Sequence, residues 1–203
     1  MNGSDFLGET CQRFHLNTGN IFMDAGIKTL LLFLILLVTG FVIRFVSQMI
    51  TLVIAIFVGE RASLLFCNYI TWPGTVHHEF SHALAAVLTG AKVTRISLVR
   101  HGDKLGEVNF IARGGRLLIG FQMAIISIAP IVCGVITEAL LYSHVLPVCD
   151  SRWKYALLLY LMISILLHMT LSGQDMQNLS KGIVPTLLVF YVFFLIAGFF
   201  DLF

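Results

Sequence analysis

Trp72-Pro73-Gly74-Thr75-Val76-His77-His78-Glu79-Phe80-Ser81-His82-Ala83-Leu84-Ala85 is the stretch on which the reading of this chain turns. It belongs to a run from Thr75 to Thr89 that has no proline and is rich in alanine and leucine, so the run is predicted to be helical. Within it, His78, Glu79 and His82 fit the spacing HExxH. On a helix, residues four apart stand one turn up the same face. Both imidazoles can therefore hold one Zn²⁺, with Glu79 beside the position left open for water as the general base. Random order of the same residues gives this spacing in roughly one such sequence in two hundred, so the setting has to sharpen it. Two histidines and a glutamate inside an otherwise apolar helix are costly in a bilayer, where ionisable residues are functional by default. The alternative is structural, with Glu79 paired to a neighbouring helix and the histidines as satisfied packing residues.

The bilayer itself follows from composition. Of 203 residues, 58% are hydrophobic and 12% charged, whereas a soluble domain is about one quarter charged. Crossing a bilayer takes about 20 mostly apolar residues, and the windows Thr29 to Ile43, Phe45 to Val58, Leu117 to Thr137, Tyr155 to Gln174 and Gly182 to Phe200 qualify or nearly so. The first two are separated only by Arg44, which leaves two short spans or one long tilted helix with a snorkelling arginine. The expectation is an α-helical polytopic membrane protein with about five to six membrane-embedded helices. Residues 1–26 are polar and lack the basic start and short apolar core of a signal peptide. They are expected to form a retained N-terminal tail on a single membrane-embedded domain over residues 27–203.

Net charge is +2, too small to argue for a nucleic-acid partner. Six of the thirteen basic residues (Lys92, Arg95, Arg100, Lys104, Arg113 and Arg116) lie between the HExxH segment and the Leu117 span. The positive-inside rule places that loop in the cytoplasm. Following the spans from there, Asp175 reaches the side on which the HExxH segment also emerges. Val93 to Val99 and Glu107 to Ile111 are β-branched and partly alternating, with glycines at 102 and 106 between them. They predict a β-hairpin at about residues 92–112. The four cysteines show no CxxC spacing.

Zinc held by two histidines needs a third protein ligand and keeps its fourth position for water. Asp175, read here as ending the Tyr155 span, is the carboxylate chosen, against the alternative that it only caps a helix. His168, deeper in the same span, is the other possible ligand or a supporting residue that hydrogen-bonds one. His77 points about a quarter-turn away from His78 and is read as peripheral.

Trp72 to Ala85, followed by Thr89-Gly90-Ala91-Lys92-Val93, resembles the site-2 protease superfamily of intramembrane zinc metalloproteases, especially its compact bacterial members. The likeness covers roughly Trp72 to Leu98 and extends more loosely to Ser172 through Asn178, where compact members carry Ser-x-x-Asp. It implies Zn²⁺ as cofactor, His78, His82 and Asp175 as its ligands, Glu79 as catalytic base, and a bacterial inner membrane as the location. The hairpin resembles the strand with which such proteases hold a substrate extended. Leu171-Ser172-Gly173-Gln174-Asp175-Met176 departs from the better-known Leu-Asp-Gly motif, lacking its proline and its following glycine. No PDZ-like segment is read in the sequence.

The function expected is hydrolysis of peptide bonds of membrane-protein or peptide substrates in or beside the bilayer. Its rival is a proteolytically silent membrane protein that keeps zinc for structure or for binding partners. A metal transporter is weaker, because ionisable residues do not recur across several spans.

Overall fold

Lipid offers no hydrogen-bond partners, so apolar runs that enter it satisfy their amides as helices. The structure, a computed structural model, describes residues 18–98 and 106–200. Among them are α1 (Ile21–Val58), α2 (Glu60–Ile70), α3 (Trp72–Leu88), β1 (Lys92–Ser97), β2 (Glu107–Ile111), α4 (Arg116–Leu140), α5 (Arg152–His168) and α6 (Gly173–Phe199). A π-helical turn (Leu141–Val145) and a 3₁₀ turn (Leu146–Val148) prolong α4. Three of the helical stretches, Ile21–Val58, Arg116–Val148 and Gly173–Phe199, are long and apolar enough to cross a membrane. The helical polytopic fold expected from the sequence is the one observed.

Some boundaries differ from the sequence reading, each for a local reason. Arg44 does not divide two spans, because α1 runs unbroken for 38 residues. The helix also starts at Ile21, inside the stretch read as tail, where the Asn20 carboxamide accepts hydrogen bonds from the Phe22 and Met23 amides (3.0 and 3.4 Å) and caps it. The span read as Tyr155 to Gln174 stops at His168; residues 169–172 are not helical, and Asp175 stands in the first turn of α6 rather than at the end of α5. The first strand ends at Ser97, and residues 99–105 of the expected hairpin turn lie outside the described residues, as does the tail up to residue 17.

The described residues divide into two compact units, one formed by residues 18–35 with 187–200 and the other lying within residues 36–186. In the first, the opening of α1 and the end of α6 run antiparallel and pack through small residues: Ala25 and Ala197 are buried, and a Cβ on Gly198 would meet Ile21 at 3.0 Å.

The second unit holds the HExxH helix. Ala85, Ala86 and Ala91 pack against Ile126 and Ala129 of α4, the small side chains letting the helices approach closely. At the start of α3, a Cβ on Gly74 would stand 2.0 Å from the Ser164 carbonyl oxygen. The Gly74 amide donates to Ser164 Oγ (2.8 Å), which donates to the Thr71 carbonyl (2.9 Å), so α5 seats the entry of α3. Gly182 and Gly120 bring α6 onto α4 in the same way. Buried Gln122 accepts from the Arg113 amide and donates to the Thr89 carbonyl, both at 2.8 Å, tying the end of α3 and the exit of β2 to α4. The strands pair antiparallel from Lys92 opposite Ile111 to Ser97 opposite Glu107, with a bulge between Val93 and Arg95.

Candidate metal centre

His78 and His82 stand one turn apart on α3, and each ring is held by its Nδ1. The Nδ1 of His78 donates to the His168 carbonyl (2.6 Å), and that of His82 to the Ile126 carbonyl (2.7 Å). A carbonyl only accepts, so both Nδ1 atoms carry a proton, and in the neutral rings this leaves each Nε2 with the lone pair that can bind a metal. Neither carbonyl has a helical amide to satisfy it. His168 is the last residue of α5, where carbonyls lose their partners. Ile126 lies four residues before Pro130, inside α4, and proline has no N–H to offer. The proline thus frees the carbonyl that orients His82.

Asp175 is placed by a capping box at the start of α6. The Ser172 amide donates to Asp175 Oδ2 (2.9 Å), and the Asp175 amide donates to Ser172 Oγ (3.1 Å). The other carboxylate oxygen, Oδ1, stands 3.5 Å from His82 Nε2. Capping therefore does not use up the carboxylate: Oδ2 caps the helix, and Oδ1 is left facing His82. The Ser-x-x-Asp pattern supplies this geometry without the proline and glycine of the better-known motif.

The two Nε2 atoms are 3.0 Å apart, and one ligand atom from each of His78, His82 and Asp175 lies within 4.8 Å of the others. Two lone pairs and a carboxylate oxygen converging in a buried setting repel unless a proton or a metal ion lies between them. Ligands at about 2.0–2.2 Å from tetrahedral zinc stand about 3.3–3.5 Å from one another, so the donor set fits Zn²⁺ with small adjustments.

These side chains line a cavity of about 670 Å³, shared with Glu79 and with β2. Glu79 is 8% exposed. A Cβ added to Gly106 would fall 2.6 Å from Glu79 Cγ and 2.9 Å from its Oε1, so the hairpin backbone lies directly on the carboxylate. His168 is outside the convergent set. Its ring Nδ1 donates to the Ser164 carbonyl (2.9 Å), and it serves His78 through its backbone rather than its imidazole. His77 turns away, its Nε2 3.0 Å from Thr137 Oγ1. The sequence reading took Gly106 only as a turn residue and missed Ile126 and Ser164; the local signal for Ile126 was the mid-helix Pro130.

The model of the Peptidase M50B-like family matches residues 49–201. The chain belongs to this family. It is thereby a member of the site-2 protease superfamily, which places it among membrane metalloproteases. No curated protein and no solved structure matches the chain. The matched stretch of this M50B-like chain takes in the HExxH helix, the hairpin, and Ser172 with Asp175. It also takes in Pro130, whose missing amide serves His82.

Proposed function

We propose that this M50B-like protein hydrolyses peptide bonds of membrane-associated substrates, with His78, His82 and Asp175 holding zinc and Glu79 as the general base. The observation that carries the reading is the convergence of two imidazole Nε2 atoms and one carboxylate oxygen in a cavity that Glu79 also lines. Zinc bound there supplies a Lewis acid that polarises the scissile carbonyl and lowers the pKa of water to about 7. Glu79 takes the proton of the attacking water and passes it to the departing amine. β2 flanks the cavity and has β1 on one side alone among the described residues. Its other edge suits an unwound substrate strand, whose amides a helix would otherwise hide. The basic residues around the hairpin support a cytoplasmic site, and the compact bacterial likeness supports the inner membrane.

Zinc content of the purified, detergent-solubilised protein tests this reading. Near-stoichiometric zinc is expected; none under metal-replete conditions would overturn it.

Pro130→Ala offers a sharper check on the histidine geometry. An amide at position 130 recovers the helical bond to the Ile126 carbonyl and competes with His82 Nδ1. Zinc affinity is expected to fall about tenfold, as when a partner of a ligand is lost, while thermal stability holds or rises, because alanine suits a helix interior better than proline. Competition with a chromophoric chelator alongside a thermal melt reads both effects.

Gly106→Ala acts on Glu79 instead. The new methyl displaces the carboxylate, and turnover is expected to drop about 10²-fold, the scale of a 1 Å misplacement, with zinc content unchanged.

A further inference from the structure

Arg44 is the one charge in the middle of α1, between the apolar stretches Thr29 to Ile43 and Phe45 to Val58. Its Nη1 donates to the Leu171 carbonyl across 3.2 Å. Leu171 lies in the non-helical segment between α5 and α6, directly before Ser172. One turn earlier on α1, Gly40 faces the same residue: a Cβ there would meet Leu171 Cγ and Cδ1 at 3.4 Å and Ile131 Cδ1 at 2.7 Å. The Leu171 side chain is 5% exposed. Nearby, Met169 is 2% exposed, and its Cγ lies 2.3 Å from where a Cβ on Gly134 would sit.

The break is thus held at its side chains by two glycines and at its backbone by a guanidinium. A carbonyl in a break between apolar helices needs a partner, and an arginine in the middle of an apolar helix needs an acceptor. Each satisfies the other. The next residue, Ser172, forms the reciprocal pair that aims Asp175.

We infer that Arg44 is a positioning residue for the third ligand of the metal centre. By holding the Leu171 carbonyl it fixes where the Ser172 and Asp175 pair begins, so α1 is a working part of the site. This inference rests on the zinc reading above. It adds that metal affinity depends on a side chain 127 residues away from the carbonyl it holds.

The test is a zinc competition titration on the full chain in detergent, wild type beside Arg44→Met, Arg44→Lys and Ser172→Ala, with the absorption spectrum of the Co²⁺-loaded forms. Arg44→Met is expected to weaken zinc about 10- to 100-fold, the range for partners of metal ligands. At saturation it should keep the wild-type Co²⁺ spectrum, because all three ligands remain; Asp175→Ala, which removes one, should not. Arg44→Lys, which keeps a donor, should recover most of the affinity. Arg44→Met and Ser172→Ala combined should cost less than the sum of the two, since both act through one segment.

Unchanged affinity in Arg44→Met, with zinc bound by the wild type, would overturn the inference and leave the metal site standing. A wild type without zinc would overturn both. If Arg44→Met does not fold, Arg44→Gln carries the test, with an intermediate loss expected and wild-type affinity overturning the inference.

Discussion

Glu79→Gln is expected to keep zinc at the wild-type level and to lower peptide hydrolysis by about 10²- to 10⁴-fold, the range for loss of a general acid-base group. Glutamine preserves the size of a side chain that is 8% exposed and pressed by the Gly106 backbone, so the cavity keeps its shape. What is lost is a basic oxygen. Cleavage of a membrane-derived peptide, followed by mass spectrometry beside elemental analysis, separates the outcomes. Turnover lost with zinc retained identifies the base. Zinc lost with turnover would make Glu79 part of the metal's support, and unaltered turnover would refute its catalytic role. A non-proteolytic zinc module would be indifferent to the change.

Removing a ligand should have the larger effect on the metal. His82→Ala and Asp175→Ala are each expected to weaken zinc by more than the roughly 100-fold upper range of supporting residues. Asp175 needs a finer variant, because it also caps α6. Asp175→Asn keeps an oxygen to accept the Ser172 amide, as the wild-type Oδ2 does at 2.9 Å, and asparagine is a competent capping residue. It loses the charge that zinc favours. The expected result is a protein with near wild-type thermal stability in the apo form and zinc affinity reduced at least about tenfold. Full zinc affinity in both Asp175 variants would reduce the residue to a cap and return the third ligand to question.

Much of the site was legible because its first half is local. His78 and His82 lie on one helical face by spacing alone, and the solvent of the chain follows from its 58% hydrophobic content. The hairpin showed itself through β-branched alternation, and the strands Lys92–Ser97 and Glu107–Ile111 lie where that pattern runs. Asp175 was legible as a residue but not as a geometry. The sequence reading set capping against ligation, and the structure makes the two compatible: one carboxylate oxygen caps α6 while the other faces His82. Arg44 was ambiguous for a related reason: whether a charge in an apolar run ends a span or turns inward depends on an acceptor that sequence does not display.

By itself, then, the sequence determined the membrane as solvent, helices as the way to satisfy amides within it, and a histidine pair with an adjacent glutamate on one turn of helix. Each depends on composition or on residues no more than four apart. Only the tertiary structure decided which carbonyls hold the rings, which aspartate oxygen faces them, and what presses on Glu79. Those contacts join His82 to Ile126, His78 to His168 and Arg44 to Leu171, separations of 44, 90 and 127 residues. They arise where packing leaves a backbone carbonyl without an amide, at a proline, a helix end and a break, and a polar side chain from elsewhere in the chain satisfies it.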